Sequence, residues 1–278
     1  MISTMKTAPI LYIVTDFPKS HDSLRYAEAA TKLGCNPSLI THAQYEIISS
    51  GDAVILRGSP KNTEAVLRTL RHIEAVGAFC LTTSTGWVAS KDRYEMYVLL
   101  KDALVKTPYT AASASEYLEN AGLPAVIKLS DSNQGRGVSV ADTSRSLLSF
   151  SGTLENINCS FVIQEYLETE VAEDYRYFVV GDTVIAAMKR TAKEGEFRSN
   201  LSLGGVASSV SFDDETASMA VNAARALSLK VAGVDIMMTK TGPVVIEVNS
   251  SPGLGIEEVT GIDVAGSVVE ELVGSWGK

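Results

Sequence analysis

The sequence is poor in the residues that build zinc centres and nucleophilic triads. Its 278 residues hold three cysteines, Cys35, Cys80 and Cys159, and three histidines, His21, His42 and His72. The cysteines are far apart, odd in number and form no C-x-x-C pair, which argues against both a disulfide framework and a structural zinc site. Each reads better as a small buried hydrophobe than as a nucleophile. Positive charge is also short, with 24 Lys and Arg against 33 Asp and Glu and a net charge of −9. That balance argues against a general binder of nucleic acid or membrane, and neither partner is expected. It still leaves room for an acidic substrate on a local basic patch. Long apolar runs are missing too. Ala8–Val14 is too short for a membrane span, Asp16 comes soon after, and no small-residue cleavage site follows. The expected location is the cytoplasm.

What is present reads as a globular protein of two or three lobes, with 45% hydrophobic and 21% charged residues. Residues 1–86 alternate strand and helix patterns: Ile10–Thr15, helix Ser23–Leu33 capped by Asp22 or Ser23, Pro37–Thr41, Ala53–Leu56, helix Asn62–Val76, then Phe79–Thr82. This βαββαβ order predicts a small parallel sheet flanked by helices. No G-x-G-x-x-G follows the first strand, so a dinucleotide fingerprint is absent. Arg57-Gly58-Ser59 reads as a loop that could touch a substrate.

A hairpin near the C-terminus carries more chemistry. Val234-Asp235-Ile236 and Val245-Ile246-Glu247-Val248-Asn249 flank turn residues Thr241-Gly242-Pro243. A turn centred on Thr241 pairs Val234 with Val248, Ile236 with Ile246 and Met238 with Val244, leaving one face wholly apolar. On the other face Asp235 meets Glu247, with Asn249 one step along. Directly opposed side chains lie roughly 4.5–5.5 Å apart at Cβ, where like charges repel. Such a pair means a raised pKa on one carboxyl or a bound cation. Two carboxylates and a carboxamide offer oxygen donors, which suit Mg²⁺ or Mn²⁺ better than zinc. A solvated acidic edge is the competing reading.

Upstream, a helix is expected from Ser90 to Ala103. Then Ala125–Leu129 and Val138–Val140 flank the glycine-bearing loop Ser130–Gly137. It is not a P-loop, yet its N–H groups could meet phosphate oxygens, with Lys128 aimed the same way. Phe161–Leu167 reads as a further strand. Asp174–Val180 and Thr183–Arg190 form a hairpin about Gly181-Asp182, which delivers Lys189 and Arg190 to one end. The segment 193–205 adds Arg198-Ser199-Asn200. Asp213–Leu227 and Val264–Val273 read as helices.

Taken together, Val126-Ile-Lys-Leu, Gln134-Gly-Arg-Gly-Val, Gln164-Glu-Tyr-Leu, Asp174-Tyr-Arg, Phe197-Arg-Ser-Asn, Ala232-Gly-Val-Asp and Glu247-Val-Asn-Ser-Ser-Pro-Gly-Leu resemble the ATP-grasp superfamily. They are most similar to its RimK-type glutamate ligases. The resemblance covers Ser90 onward and implies an α/β fold with α+β lobes. These would be an N-terminal parallel-sheet domain at 1–86, a central lobe with the flap at 87–168, and a C-terminal lobe with the metal site at 169–278. It implies an ATP-dependent carboxylate–amine ligase that works through an acylphosphate and adds an amino acid, glutamate foremost, to a carboxylate-bearing acceptor. A ligase of the lysine-biosynthesis carrier-protein type and a synapsin-like, non-catalytic ATP binder are the alternatives. The implied cofactors are ATP and two Mg²⁺ or Mn²⁺ ions, and the implied assembly is a homo-dimer or tetramer.

By resemblance, the nucleotide is bound by Lys128, Gln134, Gly135, Gly137, Glu165, Tyr166, Leu167, Asp174, Arg198, Ser199, Asn200 and Arg93. Arg190, Arg198 and Asn200 would act on the reacting groups, and Asp235, Glu247 and Asn249 would bind metal. The family's usual Asp-Lys is Asp92-Arg93 here, preceded by Lys91, so the first phosphate-binding cation is open between Lys91 and Arg93. Arg136 in the flap departs from other branches.

Overall fold

A computed structural model describes residues 10–59, 62–130, 137–169, 172–193 and 204–276. The chain divides into two compact units, one running to Ser84 and resumed from Asp263, the other Thr85–Ile262.

The first unit is the expected βαββαβ array: β1 (Leu11–Thr15), α1 (His21–Lys32), β2 (Pro37–Ile40), a 3₁₀ turn (His42–Ile47), β3 (Ala53–Arg57), α2 (Thr63–Val76) and β4 (Phe79–Cys80). All pairings are parallel, in the order β2-β1-β3-β4. The central strand β1 is buried along its length, which is why it reads as an unbroken apolar run rather than an alternating one. Helix α1 starts earlier than expected, capped by Ser20, whose Oγ accepts the Ser23 N–H. Asp22 is instead drawn to Arg57, 2.6 Å away. Gly34 and Gly77 follow their helices at φ +79° and +71°, where an L side chain would be strained.

In the second unit the expected Ser90–Ala103 helix is α4 (Arg93–Asp102), which starts three residues later than expected and is preceded by a separate short helix, α3 (Ser84–Ala89). Asp92 sets that start by capping α4, accepting N–H bonds from Tyr94 and Glu95. Lys91 therefore lies in the break. Two antiparallel sheets follow. The first, ordered β5-β8-β6-β7, comprises β5 (Thr110–Ala111), β6 (Ala125–Leu129), β7 (Val138–Ala141) and β8 (Phe161–Glu165). Helices α5 (Ala114–Asn120) and α6 (Ser144–Asn156) bury Tyr117, Leu147 and Leu154 with Ala125, Ile127 and Ile163 of this sheet.

The second sheet, ordered β11-β10-β9-β12-β13, comprises β9 (Glu173–Val180), β10 (Thr183–Thr191), β11 (Val206–Ser209), β12 (Val231–Thr239) and β13 (Gly242–Asn249). One face packs Tyr177, Val179, Val234, Ile236, Val245 and Val248 against Ala220, Ala223 and Ala224 of α7 (Asp214–Ala226) and Met96 and Leu100 of α4. Period-2 alternation turns Asp174, Arg176 and Asp235 to the opposite face. A short α8 (Ile256–Thr260) follows.

The β12–β13 register keeps Val234 opposite Val248 and Asp235 opposite Glu247 but then slips by one residue. Ile236 faces Val245, not Ile246, and Met238 faces Pro243, not Val244. A bulge at Ile246 lets Val248 and Val245, three residues apart, both face α7. The turn is accordingly Lys240-Thr241, closed by Gly242 at φ +102°. The expected apolar face fails at its tip, where Met238 is 37% exposed.

Helix α9 (Val264–Ser275) was expected to finish the C-terminal lobe and instead joins the first unit, packing against α1 and β3. It buries Val264, Ala265, Val268, Val269 and Leu272. Asp263 pairs with Arg25 at 2.9 Å, and Trp276 Nε1 donates to Gly51 O at 2.7 Å.

Candidate active site

The charged face of the second sheet is built across four strands. Arg176 sits opposite Asp235 in the β9–β12 register, and Glu247 sits opposite Asp235 on the far side. The Arg176 guanidinium grips both oxygens of Asp235, Nε to Oδ1 at 2.7 Å and Nη2 to Oδ2 at 2.8 Å. Arg190, reaching in from β10, bonds Asp174 through Nε and Asp235 Oδ2 through Nη2 at 2.8 Å. Asp174, Arg190 and Asp235 are all buried. Burial pushes the Asp235 carboxyl upward, but Arg176 and Arg190 outweigh it and hold it below the ordinary carboxylate range. The raised pKa anticipated from two facing carboxylates is therefore not what Asp235 has, because two guanidinium groups compensate it. Burial likewise disfavours the Arg190 cation, and Asp235 and Asp174 outweigh that effect to raise its pKa.

Across from this face stand three cations. Arg93, at the start of α4, donates through Nε to Leu129 O at 3.3 Å and places Nη1 3.9 Å from Glu247 Oε1. Lys128, on β6, has its pKa pushed down to about 8 by burial first and then by Arg93, against the pull of Glu247 and Asp235. Lys91 lies over the Trp87 ring with Nζ 4.3 Å from its centroid. Burial, then the Arg93 charge, lowers its pKa, and Glu247 opposes them. Both candidates for the first phosphate cation thus sense Glu247, and Arg93 also contacts the strand that bears Lys128. Ser90 Oγ donates to Ser250 Oγ at 2.6 Å, tying the α3–α4 break to the turn after Asn249.

The donor set fits a hard divalent cation. Asn249 spends its Nδ2 on Gly233 O at 3.4 Å, which leaves the carboxamide oxygen as its available donor. Glu247, with a side chain 37% exposed, offers a carboxylate. Among the described residues no group of three or more His, Cys, Asp or Glu converges, so the set rests on two carboxylates plus Asn249. Oxygen donors of this kind suit Mg²⁺ and Mn²⁺.

At the far end of β8, the Glu165 N–H donates to Tyr109 O at 2.9 Å and its side chain accepts the Tyr109 N–H at 3.3 Å. Tyr166 and Leu167 follow the last paired residue, half-buried. Among the described residues, no acceptor takes their backbone N–H groups. Gly137, at φ +67°, closes the base of the flap, its carbonyl accepting the Leu129 N–H at 2.9 Å. Gln134, Gly135 and Arg136 of the flap, and Arg198, Ser199 and Asn200, lie outside the described residues.

Residues 91–272 match the family model of the RimK-like ATP-grasp domain. The chain belongs to that family. A probable alpha-L-glutamate ligase of Picosynechococcus sp. is 36% identical to this RimK-like chain, with 94% of each covered. Another, from Shewanella loihica, is 40% identical over 81% of this chain and 77% of its own length. Among solved structures, the ATP-grasp ligase PsnB in complex with a minimal precursor superimposes with a TM-score of 0.74 at 18% identity, covering 96% of this chain and 99% of that one. A RimK domain ATP-grasp protein from Sphaerobacter thermophilus gives 0.73 at 17%, covering 95% and 100%. At those identities the structures speak for the fold. This chain is an ATP-grasp ligase with mixed α/β architecture.

Arg176 is the site residue that sequence reading passed over. It lies two residues after Asp174, inside the quoted Asp174-Tyr-Arg stretch. Strand alternation alone would have put both on one face.

Proposed function

We propose that this RimK-like ligase joins a carboxylate to an amine at the expense of ATP, with glutamate as the added amino acid and a peptide, protein or small molecule as the carboxylate-bearing acceptor. The observation that carries it is the convergence of Lys91, Arg93 and Lys128 on Glu247, opposite the Asp235–Asn249 edge. Asp235 is already paired with Arg176 and Arg190, and positive charge gathered beside this edge suits a triphosphate. Glutamate is favoured because the curated relatives are named probable alpha-L-glutamate ligases.

In this reading the acceptor carboxylate attacks the γ-phosphate, giving an acylphosphate and ADP, and the amine then displaces phosphate. Phosphoryl transfer asks for alignment and charge neutralisation rather than covalent help. Lys128 and Arg93 hold phosphate oxygens and Arg190 keeps Asp235 and Asp174 in place, while the family resemblance assigns the reacting groups to Arg198, Ser199 and Asn200. Asp235, Glu247 and Asn249 would hold one or two Mg²⁺ ions, which supply charge neutralisation to the phosphates. The Glu165 N–H is engaged by Tyr109, so the adenine edge falls to Tyr166 and Leu167. Asp174 contributes through Arg190. The flap residues Gln134, Gly135 and Gly137 exclude water that would hydrolyse the acylphosphate. A cytoplasmic setting, with ATP at hand, and a homo-oligomer complete the proposal.

The test is ADP release against a panel of amino acids and acceptors, with products weighed. Glutamate-dependent ADP release and a product heavier by one glutamyl residue are expected. ADP release with another amino acid alone would overturn the glutamate assignment, and none with any pair would overturn the ligase reading.

A further inference from the structure

Arg176 does something that the chemistry above leaves unused. With three guanidinium donors on Asp235, two fall on Oδ2 and one on Oδ1. An ionised carboxylate accepts at about four lone-pair positions. Oδ2 is therefore filled and Oδ1 keeps one position. Any cation bound there sits beside two like charges on a residue 2% exposed to solvent.

The two arginines are not equivalent. Arg190 is 5% exposed and shared between Asp174 and Asp235. Arg176 has a side chain 18% exposed and bonds Asp235 with its whole fork. It also lies over bare backbone. A Cβ at Gly233 would stand 3.6 Å from Arg176 Nε and 2.9 Å from Pro252 Cβ. Arg176 is thus the guanidinium able to yield, and Arg190 the one that stays.

We propose that Arg176 is a positioning residue that competes with the divalent cation for Asp235, so that loading the metal–nucleotide and loosening this fork are one event. The inference rests on the assignment of Asp235 to the metal in the proposed function. Arg176 holds the buried carboxylate aimed while no metal is bound. It also sets how much metal is needed to take the carboxylate over.

The test follows Mn²⁺ binding in the presence of ADP, by the paramagnetic resonance signal of free Mn²⁺, together with thermal unfolding with and without Mn²⁺ and ADP. In Arg176→Met the competing charge is gone, and the Kd for Mn²⁺ is expected to fall about tenfold, the effect of one nearby charge. The same variant should unfold at a lower temperature than the parent alone and regain most of the difference with Mn²⁺ and ADP. Arg176→Lys, which keeps the charge and loses the fork, should stay within about twofold of the parent Kd. If Arg176→Met does not fold, Arg176→Gln carries the same expectation. A Kd unchanged or raised on removing the charge overturns the proposal and leaves Arg176 a brace. A folded parent that takes up no Mn²⁺ with ADP overturns the metal assignment of Asp235 and this inference with it.

Discussion

At the scale of single residues, Asp235 and Glu247 face each other yet do different work. Asp235 is buried between two guanidinium groups, and removing one partner of a buried pair leaves uncompensated charge. Asp235→Asn is expected to cost about 3 kcal/mol in urea unfolding, as well as metal-dependent turnover. Glu247 is 37% exposed, so Glu247→Gln should change stability by less than about 0.5 kcal/mol while still abolishing Mg²⁺-dependent ADP release. The pH dependence has two signs. The Asp235 pKa is depressed on folding, so its contribution is present above the unfolded carboxyl value of about 3.9 and is lost as pH falls through the depressed one. Lys128 runs the other way. Its folded value of about 8 lies below the unfolded value of about 10.4. The unfolded chain binds the extra proton between them, and stability should rise across that window in the absence of nucleotide. A triphosphate favours the charged lysine, so ATP binding at pH 8–10 should take up a proton. Calorimetry in two buffers of different ionisation enthalpy measures it.

At the scale of elements, strand alternation was legible and the places where it breaks were not. The facing of Asp235 and Glu247 came out of the counting because two departures cancel: the turn is Lys240-Thr241 rather than one centred on Thr241, and the bulge at Ile246 restores the counted register at Asp235. The slip between them was hidden, since a bulge is chosen by packing on α7, and nothing in Val244-Val245-Ile246 says which residue is extra. The start of α4 at Arg93 rather than Ser90 could have been read from Asp92, a good cap set inside a helical pattern. Helices α5 and α6 begin after Ser113 and Thr143, whose capping signals went unread. Within α3, Gly86 is a packing requirement. A Cβ there would come 2.8 Å from Leu227 O and 2.9 Å from Leu229 Cδ2. Gly86→Ala should cost about 1–3 kcal/mol, read in chemical denaturation, because a backbone carbonyl must shift.

At the scale of the whole molecule, the family was legible from seven short motifs, because phosphate and metal chemistry confine residue types at fixed places. The destination of α9 was not. Its buried stripe of Val264, Val268 and Leu272 says that it packs, and not on what. The contacts that decide it, Arg25 with Asp263 and Trp276 with Gly51, join residues more than two hundred positions apart. Leu272→Ala is expected to cost about 2–5 kcal/mol, with faster amide hydrogen exchange in α1 and β3. Exchange in β9 and β12 should stay unchanged.

The return of α9 also bears on the order of synthesis. A ribosome delivers Asp263 and the helix after it only once all of Thr85–Ile262 has been made. At about 5–20 residues per second, the β1–β3 sheet waits on the order of ten seconds or more for the helix that covers one side of it. The ligase unit has all its strands before the first unit has its last helix. A nascent chain stalled at Ile262 would carry every strand of the second unit and, in its first unit, an open apolar face on α1 and β3, the surface a chaperone would meet first.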